Sequence, residues 1–166
     1  NAPTEIVKGA IAAVNENTNV KVFLVGQEEI VRKELSAYTY NNEQVEVVNA
    51  TEVIETAEPP VMAIRRKKDS SIVKAMNLVK EGICDAYVSA GSTGALVVGG
   101  SLIVKRIKGI KRVALASFIP GKNNNYLMLD IGANADCRPE MLYQFGIMGS
   151  VYMEKVDGRK NPTVGL

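Results

Sequence analysis

An apolar run, Ala86 to Val88, passes without a break into a loop of small polar residues, Ser89 to Gly94. That loop passes in turn into an apolar segment ending at Lys105-Arg106. A strand feeding a helix through so short a connection narrows the choice to architectures that alternate the two elements. The same stretch carries chemistry. The first backbone N–H groups of a helix have no partner within it, and the helix dipole is positive there. Gly91 and Gly94 let an anion approach such amides closely, and the hydroxyls of Ser89, Ser92 and Thr93 add donors. The loop reads as a phosphate cradle. It is not a Walker A loop, since no Gly-Lys-Ser/Thr follows, and it lacks the Gly-x-Gly-x-x-Gly dinucleotide fingerprint. The plain alternative is a tight turn in which Ser or Thr caps the helix.

The rest of the chain repeats the alternation. Pro3 to about Asn15 is expected to be helical, with Asn1 as its cap and Ile6, Val7, Ala10, Ile11 and Val14 at helical spacing. Lys21 to Val25 reads as a strand closed by Gly26, Gln27 to Ala37 as a charged amphipathic helix, and Val45 to Asn49 as a strand. Glu58-Pro59-Pro60 reads as a break. Ser70 to Glu81 reads as a helix capped by Asp69 or Ser70, with Gly82 at its end. Val113 to Ser117 and Tyr126 to Asp130 are expected strands whose hairpin-like join makes at least one antiparallel step. Pro139 opens a long helix to about Val156, ended by Asp157-Gly158, with Gly146 and Gly149-Ser150 marking close packing. The pattern predicts an α/β fold with a largely parallel sheet covered on both faces. Ligands in such sheets sit beyond the carboxyl ends of strands, where both Ser89 and Asp130 are expected.

Composition excludes more than it selects. The 166 residues suit a single α/β domain spanning 1–166. A formal net charge of +2 argues for no partner. The chain has no His, which removes a Ser-His-Asp or Cys-His centre and a His-ligated metal within it. Its two cysteines, Cys84 and Cys137, lack metal-ligand spacing and fit a reducing compartment. No signal peptide or membrane-spanning apolar run stands out. The opening Asn1-Ala2-Pro3 without Met and the closing Pro162 to Leu166, which resembles the start of a strand, lead to the expectation of a piece of a longer protein.

Two further clusters carry functional groups. Asp130 to Glu140 is another loop leading to a helix start, in which Asp130, Asn134 and Asp136 offer acceptors and an amide donor. Paired acids there can act as a base or hold Mg²⁺; equally, Asn and Asp can bond their own backbone, and Asp136 suits a helix cap. Arg65-Arg66-Lys67-Lys68 can bind phosphate or an acidic protein, or simply face solvent. Nucleic acid is disfavoured, since no aromatic residues interleave with these cations. A second basic run, Lys105 to Arg112, suits either an acidic partner or the negative end of the preceding helix.

Glu58 to Ser71, Val88 to Ala95 and Leu129 to Glu140, in that order, resemble the PlsX-type phosphate acyltransferases, as do Phe118-Ile119-Pro120 and Gln144 to Lys155. The resemblance implies transfer of a long-chain fatty acyl group from acyl carrier protein to inorganic phosphate, giving acyl phosphate for phospholipid synthesis. It implies a three-layer α/β/α fold like that of phosphotransacetylase and isopropylmalate dehydrogenase. It further implies a cytoplasmic homodimer with peripheral membrane contact that supplies a membrane glycerol-phosphate acyltransferase. No cofactor, metal or covalent acyl-enzyme is required. Carried onto this chain, the resemblance makes Ser89, Gly91, Ser92, Thr93 and Gly94 the phosphate holders. Arg65, Arg66 and Lys67 become the cations for the carrier or an anion. Asp130, Asn134 and Lys68 become the catalytic groups, with Asn134, Arg65 or Lys68 facing the developing oxyanion.

The chain departs from that pattern in four ways. The family's opening strand and its Asp-Ala-Met-Gly-Gly-Asp loop are absent, and the family runs to about twice this length, so 1–166 is expected to be an N-terminal portion lacking its first strand and second half. Asn is more usual in the family at Ser92, and Thr at Gly121. Two other functions fit the same residues: a phosphotransacetylase acting on acyl-CoA, and a non-catalytic phosphate-binding module that docks an acidic protein through Arg65 to Lys68. A dehydrogenase is disfavoured by the missing fingerprint.

Overall fold

A computed structural model describes residues 2–166, so the expected cap at Asn1 lies outside the described residues. The chain divides into two compact units, Asn1–Val104 and Lys105–Leu166.

In the first unit, helix α1 (Thr4–Glu16) buries Val7, Ile11 and Val14, which recur at i, i+4 and i+7 and so line one face. Ile6, expected in that stripe, is exposed. Strand β1 (Val22–Gly26) pairs in parallel with β2 (Val45–Asn49), Val22 opposite Val45 and Gly26 opposite Asn49. Helix α2 (Glu28–Leu35) places Glu28 and Glu29 in its first turn and Arg32 and Lys33 in its last, the order its dipole favours. Leu24, Val31 and Leu35 complete the core begun by α1. The Gln44 side-chain amide donates to the carbonyls of Asn17 at 2.9 Å and Val20 at 2.8 Å, fastening the chain just ahead of both strands.

Helix α3 (Pro60–Arg66) forms where the two prolines were expected only to break the chain. Proline has no N–H and a fixed φ, which suits the first helical position, so Pro60 starts a helix instead. Helix α4 (Ser71–Lys80) ends at Gly82, whose φ of +73° is the left-handed conformation glycine adopts without cost. Neither expected cap closes its start. The Ser70 hydroxyl donates back to the Lys67 carbonyl at 2.8 Å. Asp69 instead accepts from the Thr51 N–H and hydroxyl and pairs with Lys74 at 2.5 Å. Those bonds, the one from Lys74 foremost, hold the Asp69 carboxyl well below its ordinary value. Helix α5 (Thr93–Gly99) continues into one π-helical turn, Gly100–Val104. Ile54, Ala63, Ile64, Ile72, Val73, Met76 and Ala95 make the second core.

The expected strand at Ala86 to Val88 does not form. No strand pairs with it among the described residues, and Val88 is 92% exposed. A strand needs a neighbour to accept and donate its backbone hydrogen bonds, so an apolar run alone is not enough.

The second unit holds the antiparallel step. Strand β3 (Ala116–Ile119) pairs with β4 (Tyr126–Leu129), Ala116 opposite Leu129 and Ile119 opposite Tyr126. Helix α6 (Pro139–Lys155) buries Met141, Phe145 and Met153. A Cβ on Gly149 would meet Leu129 Cδ1 at 3.1 Å, the close approach expected of that glycine. The protein is thus α/β, with one parallel and one antiparallel strand pair among the described residues.

Candidate active site

The Ser89–Gly94 loop lies in the first unit, directly ahead of α5. Ser92 occupies the cap position, 4% exposed, and its hydroxyl accepts the Ala95 N–H at 3.3 Å. Its carbonyl takes the Leu96 N–H at 3.0 Å. Ser89 Oγ accepts the Gly91 N–H at 3.1 Å. Nearby, burial pushes the Tyr87 phenol above its ordinary pKa. The turn reading is met in that Ser92 caps the helix. Thr93 and Gly94 are exposed, and among the described residues no acceptor meets their N–H groups.

One wall of this loop was not anticipated. A Cβ on Gly94 would lie 2.8 Å from Pro60 Cγ, so the starts of α3 and α5 touch. The only sequence signal for this contact is the proline pair itself, once it is taken as a helix start.

The basic run ends α3. Arg65 and Arg66 are exposed in its last turn. Lys67 is engaged internally: its Nζ donates to the Glu58 carboxylate at 2.6 Å and to the Val53 carbonyl at 2.6 Å. Lys68 Nζ donates to the Ile64 carbonyl at 3.2 Å, satisfying the end of the helix.

The Asp130 loop belongs to the second unit, and its polar groups turn inward. Asp130 Oδ1 accepts the N–H groups of Leu115 at 2.7 Å and Ala133 at 3.2 Å. Its Oδ2 accepts the Asn134 N–H at 2.7 Å and the Asn134 side-chain amide at 3.0 Å. Burial raises the Asp130 pKa, but the bonds from Leu115, Asn134 and Ala133 outweigh it and hold the carboxyl below its ordinary value. The second proton of the Asn134 amide goes to the Val113 carbonyl at 3.0 Å. Asp130 and Asn134 are brought together as the sequence suggests, with the Asp130 carboxylate and the Asn134 side-chain amide engaged within the loop and its neighbours; Asp136 is exposed and does not join them. Among the described residues, no group of three or more His, Cys, Asp or Glu side chains is placed to hold a metal. No helix among them is long and apolar enough to cross a membrane.

Comparison with known proteins identifies the family. A family described as "Fatty acid synthesis protein" matches residues 1–166. The chain belongs to that family. Among its relatives, the phosphate acyltransferase of Clostridium beijerinckii is 54% identical over 166 residues, covering 100% of this chain and 50% of the relative. The phosphate acyltransferase of Clostridium acetobutylicum is 51% identical over the same length, with the same coverage. That of Clostridium tetani is 51% identical over 165 residues, 99% of this chain and 49% of the relative. The chain thus spans about half the length of the curated relatives it matches.

Proposed function

We propose that this chain is part of a phosphate acyltransferase that moves a long-chain fatty acyl group from acyl carrier protein to inorganic phosphate. The family and the name its relatives carry support the reaction class. The observation that carries the reading within this chain is the pair of exposed first-turn residues Thr93 and Gly94, whose N–H groups meet no acceptor among the described residues, beside hydroxyls on Ser89 and Thr93. Held there, a phosphate oxygen attacks the thioester carbonyl carbon. A C–O bond forms and the carbonyl π pair moves onto its oxygen. The tetrahedral oxyanion then collapses, the C–S bond breaks, and the carrier's thiolate leaves and takes up a proton. Fixing phosphate in line with the thioester lowers the barrier by removing the entropy of a bimolecular encounter. The exposed Arg65 and Arg66 suit an acidic carrier or the developing oxyanion. Lys67 and the Asp130–Asn134 pair serve better as supports than as donors, given the bonds they already make.

With this function we propose the finer features that the resemblance implies. These are a three-layer α/β/α sandwich, with 1–166 a single domain forming the N-terminal portion of a longer enzyme. The enzyme is a cytoplasmic homodimer in peripheral contact with the membrane. A membrane glycerol-phosphate acyltransferase consumes the acyl phosphate.

The test uses the full-length gene product carrying this sequence, palmitoyl-acyl carrier protein and inorganic phosphate, with hydroxylamine to trap acyl phosphate. Phosphate-dependent hydroxamate is the expected result. No product from folded enzyme and acylated carrier would sink the reading, and turnover of acetyl-CoA in its place would turn it to the phosphotransacetylase.

A further inference from the structure

The chain reaches α3 through a turn that one ion pair holds shut. Lys67 follows the last residue of α3 and Glu58 lies two residues before its first. Their contact at 2.6 Å therefore ties the two ends of the helix together. The same Nζ holds the Val53 carbonyl, and the same carboxylate accepts the Glu55 N–H at 2.7 Å. Both side chains are less than one-third exposed, at 30% and 28%, so salt screens the pair less than an open surface pair. Hydrogen bonding to Lys67 holds the Glu58 carboxyl below its ordinary pKa.

What the pair seats is the wall of the loop. Pro60 begins α3 and meets the backbone at Gly94, the second residue of α5. Ala63 and Ile64 share a core with Ala95, which is fully buried. The N–H groups of Thr93 and Gly94 thus keep their place only while α3 keeps its own. Close-packed interiors transmit such displacements rather than absorbing them.

We propose that Glu58 and Lys67 are positioning residues: their ion pair seats α3 and, through Pro60, sets the opening of the loop at Thr93 and Gly94 toward a phosphate. The inference rests on reading that loop as the phosphate site. Both residues act through Pro60 and not through contact with the ligand.

Glu58→Ala and Lys67→Ala in the full-length gene product test it. Each raises the phosphate KM about fivefold, the size of effect a remote packed residue transmits. Each leaves kcat at saturating phosphate within about twofold, the split expected when ground-state placement of phosphate is what suffers. The double variant loses clearly less than the sum of the two singles, because both remove the same ion pair and only the Val53 and Glu55 bonds differ. Glu58→Gln keeps an acceptor for the Glu55 N–H; it recovers part of the loss and stands in if the alanine variant fails to fold. An unchanged phosphate KM in both single variants overturns the proposal, and so do additive losses.

Amide hydrogen exchange over residues 89–96, without phosphate, separates this inference from the function it rests on. Faster exchange there in Glu58→Ala supports the seating role even in a protein that makes no acyl phosphate, the outcome that would end the acyltransferase reading. Unchanged exchange overturns the seating role whatever the activity.

Discussion

The Ser89–Gly94 loop and the Asp130–Asn134 loop are built from the same kinds of residue, and they use their polar groups in opposite directions. Around Asp130, four hydrogen bonds converge on one carboxylate and both amide protons of Asn134 are engaged. Around Ser92, a single hydroxyl closes the helix start, and the N–H groups of the exposed Thr93 and Gly94 meet no acceptor among the described residues. A loop whose polar side chains are met internally gains rigidity. A loop that leaves donors outside keeps the capacity to bind. Counting Ser, Asn, Asp and Gly does not tell the two apart; the direction of their hydrogen bonds does.

The sharpest way to break this contrast is Asp130→Ala. It strands the half-buried N–H groups of Leu115, Ala133 and Asn134, and a loss of about 2 kcal/mol is expected, since water only partly replaces the lost acceptor. Urea unfolding measures it; a loss near zero would mean the inward network carries no weight. Acid probes the same carboxylate. Its folded pKa is depressed, so its stabilisation is present above the unfolded value of about 3.9 and is lost as pH falls through the folded value. The acid limb of the wild-type stability curve is therefore expected to flatten in Asp130→Asn.

Ser92→Ala is expected to cost about 1 kcal/mol, the usual size of a lost N-cap, and to loosen α5. A drop in thermal midpoint with no rise in phosphate KM would assign Ser92 to capping alone. Thr93→Val should be the mildest for stability, within about 0.5 kcal/mol at an exposed position, while raising the phosphate KM. An unchanged KM would remove that hydroxyl from the phosphate site.

Elements whose signals are local were legible in the sequence. Val45 to Asn49 is a strand with the expected bounds, and α6 runs from Pro139 nearly as far as expected, because alternation and helix-start chemistry lie in neighbouring residues. Where an outcome depends on a distant partner, the sequence says less. Ala86 to Val88 has the composition of a strand and no neighbour to pair with among the described residues. Pro60 opens a helix because Ala63 and Ile64 find a core containing Ala95, which two prolines in a row do not announce. The cap at Ser92 could be foreseen from the helix start alone. The contact between Pro60 and Gly94 joins residues far apart in the chain, and the capture of Lys67 by Glu58 depends on the helix that two prolines do not announce; both needed the fold.

The grip of Gln44 on Asn17 and Val20 has a consequence for how β1 and β2 find each other. Gln44 immediately precedes Val45, and Val20 lies two residues ahead of Val22, the partner of Val45 across the ladder. The phase of the parallel pair is thus set from outside the sheet, at its mouth, by one amide. A slip of a single residue would turn Leu24, now only 6% exposed, away from the helices that cover it. Gln44 acts as a latch at the end of the ladder, one amide bearing on which side of both strands stays dry.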